Sequence, residues 1–210
     1  MARAARRVRV GILVECGRDG LEVHLCRRIC ALLRNDHGAT IQEEIVPMTN
    51  KSQLIEQCAA AAGSLLAGGT DRVVILWDEE PAWPDPHEAL CWQRDKEQIV
   101  QSLRGAGLDL NLIHLVCIER AFEAWLLFDD RLLSRVLTRS GHPVRARPPR
   151  NPHRERNVKG KMMRLFRKHG YTYVDVQWAR RLADGLEDLS HLRRCATFRR
   201  FAERVMGSSF

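Results

Sequence analysis

Val73-Val-Ile-Leu-Trp77 is a short apolar run that ends directly in three acids, Asp78-Glu79-Glu80. A β-branched run without alternation predicts a strand buried on both faces, the central position of a parallel sheet. Upstream, residues 8–14 read as a second such strand and end in Glu15-Cys-Gly-Arg-Asp19. Between the two strands, Leu21, Leu25, Cys26, Ile29, Leu32 and Leu33 recur at helical spacing until Asn35-Asp-His-Gly38. A strand is expected over 40–46, and an Ala-rich helix over 53–66 closed by Gly68-Gly69. Downstream of the acids, residues 78–86 hold three prolines and predict an irregular loop; a helix follows over 88–103 and a fourth strand over 110–117. Strands alternating with helices at these intervals predict an α/β fold built on a parallel sheet with right-handed crossovers.

Beyond the fourth strand, residues 121–137 predict one helix, or two broken at Asp129-Asp130. Residues 140–157 contain four of the eight prolines and five arginines, with no apolar periodicity, which predicts a mobile loop. Short helices are expected over 159–168, 177–182 and 198–206. The organisation expected is an α/β core over 1–138, a basic Pro/Arg-rich loop over 139–157, and a helical C-terminal region over 158–210 packed on the core.

With 210 residues, 45% of them hydrophobic, the chain is long enough to bury a full core. No apolar stretch approaches the roughly 18 residues of a membrane helix, and the basic start runs straight into a strand, so a cytoplasmic protein without membrane contact is expected. The seven cysteines include no CxxC pair and lie mostly within apolar periodic stretches, as reduced core residues do. Cys26 and Cys30 share a helical face with His24 nearby, but no second ligand pair for zinc accompanies them.

Charge is unevenly placed. Residues 131–168 carry thirteen Lys/Arg and one acid, Glu155, whereas the remaining chain has 21 basic and 25 acidic residues. A basic segment beside an acidic core fits a polyanionic substrate; the plainer alternative is a solvated Arg-rich loop. The acids Glu15, Asp19, Asp78 and Glu80 supply the hard oxygen ligands that magnesium and manganese prefer. All four stand where two parallel strands end, the edge at which ligands gather. Two acids separated by one residue on an extended segment face the same side.

Together these pairs resemble the Toprim domain, which has a Glu after its first strand and a D-x-D after a later one. The ExxxD form of the first pair is most similar to nucleases of the overcoming-lysogenization-defect type. That resemblance implies that Glu15, Asp19, Asp78 and Glu80 ligate one or two Mg²⁺ or Mn²⁺ ions. Cys16 stands where Toprim proteins usually have Gly, and Glu80 where they have the second Asp. A closer resemblance, covering nearly the whole chain, is to a family of small bacterial Toprim-like proteins of unknown function. It rests on Ile118-Glu-Arg-Ala-Phe-Glu123-Ala-Trp-Leu-Leu127, on Val158-Lys159-Gly-Lys161, and on Cys195-Ala-Thr-Phe198-Arg199-Arg-Phe201.

The resemblance implies a metal-dependent nuclease, with Glu15 and Asp78 anchoring the metal and Glu123 adding a ligand or orienting water. Glu119, one helical turn before Glu123, is expected to face the same cleft, or else to pair with Arg120 or Arg131 on the surface. Lys159 is a candidate catalytic cation that steadies phosphate charge; Lys161, Arg145, Arg147, Arg150, Arg154 and Arg156 are candidate nucleic-acid contacts, for DNA or RNA. Both lysines equally suit an ordinary basic helix. Trp77, Trp83, Trp92 and Trp125 could stack on bases, but indoles among Val, Leu and Ala are more often core.

Toprim nucleases of this kind often act as toxic effectors of antiviral defence beside an ATPase. This chain has no P-loop, so the expected ATPase is a separate subunit. The main alternative is a non-catalytic nucleic-acid-binding or scaffold protein that retains the fold. A haloacid-dehalogenase relative would need its D-x-D after the first strand, where Glu15 stands instead. A topoisomerase or primase would need domains for which the chain has no room.

Overall fold

The structure is a computed structural model, and it describes residues 7–37, 40–79 and 92–208. Glu80, Trp83, Cys91, the three prolines of 78–86 and the start of the helix expected from 88 lie outside the described residues. Four strands, β1 (Arg7–Val14), β2 (Thr40–Pro47), β3 (Arg72–Asp78) and β4 (Ile113–Ile118), form one sheet in the order β2-β1-β3-β4. Every pairing is parallel, with Val14 opposite Pro47 and Leu76, and Asp78 opposite Ile118. The fold is Rossmann-like α/β. Because the strand order runs outward in both directions from the β1–β3 pair, the crevice between the carboxyl ends of those two strands is a topological switch point.

Burial explains the order. β1 from Val10 onward and Val73–Trp77 of β3 are covered on both faces, whereas at the edges β2 buries only Ile41 and β4 mixes buried with part-exposed residues. Val10, Ile12, Val14, Val74 and Leu76 face one apolar cluster with α1 (Leu21–His37). Leu13, Val73, Ile75 and Trp77 face a second cluster with α2 (Lys51–Ala67) and α3 (Trp92–Gly105). The fourth strand begins three residues later than the apolar run suggests. Asp109 accepts a hydrogen bond from the Asn111 N–H and winds Leu110–Leu112 into a 3-10 turn before β4.

After β4 the chain forms two helices, α4 (Glu123–Leu126) and α5 (Asp130–Leu137). Asp129 separates them by accepting from the N–H groups of Arg131 and Leu132 at 3.1 and 2.9 Å, a side-chain cap that starts α5. The following Pro/Arg-rich stretch is pinned rather than detached. The Val144 N–H donates to Thr138 Oγ1 and the Ala146 N–H to Ser134 Oγ, both at 3.0 Å, while Ala146 and Pro152 are buried and His153 packs on Phe128. Its anchors are hydroxyls and one small apolar residue, which periodicity does not reveal.

The C-terminal helices α6 (Val158–Lys168), α7 (Asp175–Gly185) and α8 (Ala196–Met206) close the first face of the sheet. They share one apolar cluster with β1, β3 and α1 rather than building their own: α7 packs on α1, α6 on α4, and α8 on β3 and β4. No helix among the described residues is long and apolar enough to cross a membrane.

Candidate functional site

Glu15 follows β1 and Asp78 ends β3, so the switch point brings the two acids to one crevice. The exits of β1 and β2 are tied together there: the Met48 N–H donates to the Val14 carbonyl at 2.8 Å, and the Thr49 N–H to the Cys16 carbonyl at 2.9 Å. Thr49 takes a left-handed φ of 68° to do so. Glu22 in the first turn of α1, Glu123 at the start of α4, Lys159 in the first turn of α6 and Asp175 at the start of α7 complete a cleft of about 450 Å³. The partial positive charge at the N-termini of α1 and α7 makes this edge tolerant of acids.

Four carboxyls in the cleft are held above their ordinary pKa. Burial pushes Glu15 up to about 8; Lys51 opposes the shift, and the Glu22 carboxylate adds to it. Burial raises Asp78 well above the carboxylate range, followed by the charges of Glu15, Glu22 and Glu123. Burial likewise raises Glu22 and Glu123. Glu15 Oε2 is shielded from solvent and has no hydrogen-bond partner among the described residues. An acceptor left in that condition costs on the order of 1–3 kcal/mol, more when charged, unless a donor or cation meets it.

Cations flank the acids. Lys159 Nζ lies 3.3 Å from Asp175 Oδ2 and 3.9 Å from Glu123 Oε1. Burial alone would lower its ammonium, but those two carboxylates hold it above its usual value. The Tyr173 hydroxyl donates to Glu123 Oε1 at 3.3 Å and, buried beside that carboxylate, is held well above its usual range. Lys51 Nζ donates to the Asp78 carbonyl at 2.5 Å and the Glu79 carbonyl at 3.3 Å, and stands 3.5 Å from Asp95 Oδ2, which fixes the end of β3.

No family model, curated protein or solved structure matches this chain. The site therefore stands on its own geometry.

Glu15, Asp78, Glu123 and Lys159 share the cleft, with Asp19 exposed at its rim. Glu80 lies outside the described residues. Glu119 is elsewhere. Arg120, with a left-handed φ of 70°, breaks the chain before α4 starts, so Glu119 and Glu123 do not share a helix. Glu119 instead lines a separate cleft, with its carboxylate 3.4 Å from His153 Nδ1. Arg145, Arg147, Arg150, Arg154 and Arg156 are all exposed and make no side-chain hydrogen bond or ion pair among the described residues. Lys161 pairs with Glu155 at 2.9 Å. Trp77 and Trp125 are core, whereas Trp92 is 42% exposed.

Glu22, Lys51, Tyr173 and Asp175 were not singled out by the sequence. Glu22 and Asp175 pass for acids that balance a helix dipole. Lys51 carried a usable signal: a lysine opening a helix that has no acid in its first turn opposes the dipole, and such a residue has a reason to be there.

Asp129, Asp130 and His191 form a further cluster that can hold a metal ion, with one ligand atom from each lying within 4.8 Å of the others. Among the described residues no three of the cleft carboxyls come that close together. In that cluster Asp129 Oδ1 is already occupied as the cap of α5.

The raised acids set a pH dependence. Unfolded, Glu15 titrates near 4.5; folded, near 8. Between those values the folded state keeps a proton that the unfolded chain has lost, so stability is greatest below 4.5 and declines as pH rises through 8. Asp78, Glu22 and Glu123 act in the same sense, while Asp188, whose carboxyl is lowered by its bonds to Ser190, acts below this window. The metal-free protein is expected to melt at a lower temperature at pH 8 than at pH 5.5. A flat or rising melting temperature across that interval would show that these acids are not held protonated.

Proposed function

We propose that the protein is a metal-dependent phosphodiesterase that cleaves nucleic acid. The observation that carries this reading is the gathering of Glu15, Glu22, Asp78 and Glu123 at the switch point of a parallel sheet. Acids buried in one cleft that raise one another's pKa are an unfavourable arrangement for folding alone and a favourable one for a divalent cation. The donor set fits the ion: every candidate ligand is a hard oxygen, and the orphaned Glu15 Oε2 offers a site already stripped of water. Glu15 and Asp78 would hold Mg²⁺ or Mn²⁺ together with Asp19, Glu22 and Glu123. Glu80, two residues past Asp78, belongs to the same set by sequence. Bound there, the metal supplies charge neutralisation and Lewis acidity at a phosphoryl group.

The chain's own residues do the rest. Lys159, fixed between Asp175 and Glu123, places a positive charge on the cleft wall where phosphate charge develops. Tyr173 orients Glu123, and Lys51 holds the backbone of Asp78 and Glu79. The exposed arginines of 145–156 provide a strip for the phosphate backbone of DNA or RNA. Replacing all five by alanine is expected to weaken binding of single-stranded oligonucleotide. The dependence of log affinity on log salt should flatten by about 0.7 for each phosphate that the strip no longer neutralises. An unchanged slope would mean that the strip is merely solvated.

The Toprim resemblance extends the proposal to a cytoplasmic effector of antiviral defence working with a separate ATPase subunit. The direct test is cleavage of plasmid DNA, single-stranded DNA and tRNA by the purified protein with Mg²⁺, Mn²⁺ or EDTA. Cleavage that requires the metal supports the reading and names the substrate. A second reading, a non-catalytic nucleic-acid-binding scaffold, is favoured by the separation of the cleft carboxyls and by the ion pairing of Lys159 among them. No cleavage together with no calorimetric heat on adding Mn²⁺ would favour the scaffold.

A further inference from the structure

The carboxyl edge of the sheet serves two clefts. Asp78 and Glu79 are consecutive and point apart: Asp78 lines the acidic cleft, and Glu79 lines a second one of about 490 Å³. Arg120 and Ala121 divide in the same way, with the left-handed Arg120 turned toward the second cleft. The two clefts therefore share a wall made of the ends of β3 and β4.

The second cleft has a different chemistry from the first. Of its acids, Glu79 Oε2 accepts from the Arg120 N–H at 3.2 Å, while the exposed Glu119 carboxylate stands at the cleft with His153 Nδ1 3.4 Å away. Its cations Lys96 and Arg200 are exposed and make no ion pair among the described residues. Trp92 offers an indole face that is 42% exposed, with Lys96 Nζ 5.8 Å from the ring centroid. Trp77, only 2% exposed, also lines the cleft, and its buried Nε1–H has no acceptor among the described residues. Buried indole N–H groups are almost always bonded, so this donor lacks a partner that the described chain does not provide.

A flat aromatic face, two cations outside any ion pair of the described chain and one orphaned donor are the complements of a planar heterocycle with ring acceptors and an attached phosphate. We propose that the second cleft binds a nucleoside 5′-phosphate unit, with its base against Trp92, a base acceptor on Trp77 Nε1–H, and its phosphate between Lys96 and Arg200. Its place in the molecule rests on the nuclease reading: the unit is the neighbour, on the same strand, of the phosphate held in the acidic cleft. The substrate is then single-stranded where it is cut, because a base inside a duplex cannot reach an indole.

The test is titration calorimetry in EDTA with guanosine 5′-monophosphate, ribose 5-phosphate and inorganic phosphate. The nucleotide is expected to bind, with ribose 5-phosphate and inorganic phosphate each weaker by about tenfold or more. Trp92→Ala and Arg200→Ala should each weaken the nucleotide by about tenfold at an unchanged melting temperature, Trp92→Phe should restore most of the loss, and Asp78→Asn should leave binding intact. A single-stranded octanucleotide that binds more tightly than the mononucleotide and loses the same factor with Trp92→Ala assigns the cleft to a strand. Equal affinity of the two assigns it to the free nucleotide. No nucleotide binding, or binding that Asp78→Asn removes and Trp92→Ala does not, overturns the proposal. If metal-dependent cleavage persists in that case, the nuclease reading survives without the second cleft. Nucleotide binding without cleavage of any nucleic acid leaves the cleft standing and removes the nuclease.

Discussion

Asp78→Asn is expected to abolish metal-dependent cleavage and to raise the melting temperature of the metal-free protein. The two effects share one cause. The Asp78 carboxyl is desolvated beside Glu15, Glu22 and Glu123, and each ionised neighbour raises the cost of its own ionisation. An amide of the same shape keeps the packing and removes the charge, so the repulsion within the cleft falls. The same amide is a poor ligand for a hard divalent ion. Loss of a group that merely orients a ligand costs about 10–100-fold in affinity or activity, so loss of an anchoring ligand is expected to cost more than about a hundredfold. The melting-temperature gain should be larger at pH 8 than at pH 5.5, where Asp78 already holds its proton, and added Mn²⁺ should stabilise the wild type far more than the variant. Retained cleavage would remove Asp78 from the site. A lower melting temperature in the variant would show that its carboxylate is satisfied in the fold rather than strained.

Trp125→Ala is expected to cost about 3–5 kcal/mol of folding stability. Trp125 is fully buried in α4, with ring centroids of Phe122, Phe198 and Phe201 at 4.9, 5.3 and 5.4 Å, and its Nε1–H donates to Thr197 Oγ1 at 2.9 Å. One side chain thus joins the turn after β4 to α8. Truncation leaves a large cavity and removes a buried hydrogen bond together. Trp125→Phe, which keeps most of the packing, should recover more than half of the loss. The measurement is the urea midpoint of the metal-free protein with the slope of the transition unchanged. A shift worth less than about 1 kcal/mol would mean that the cluster repacks around the gap.

The strands and most helices were legible because they obey simple periods. The buried runs of β1 and β3 cannot be mistaken for amphipathic elements, and the acids that end them mark the switch point. Glu15 and Asp78 could be read for that reason. Glu119 could not be placed, because its side depends on the left-handed turn at Arg120, a conformation that an arginine does not announce. Asp175 and Tyr173 lie about a hundred residues beyond Asp78, and only the docking of α7 on α1 brings them to the cleft. The pinning of the Pro/Arg stretch was hidden because its anchors are two hydroxyls, on Thr138 and Ser134. The second cleft was hidden for a related reason. Trp92 at the start of α3 and Arg200 in α8 are far apart in sequence, and only the fold brings both to one cavity.

The acidic cleft is assembled from both halves of the chain, with Glu15 and Asp78 early and Lys159 and Asp175 late. During synthesis the early acids emerge first, and the sheet's first face is still open because α7 and α8 have not been made. A chain whose α6 and α7 have not yet docked therefore has these acids and Lys51, but neither Lys159 nor the helices that enclose the cleft. Its acids lack the burial that raises them in the complete fold. The cleft is complete only once α6 has docked on α4 and α7 on α1.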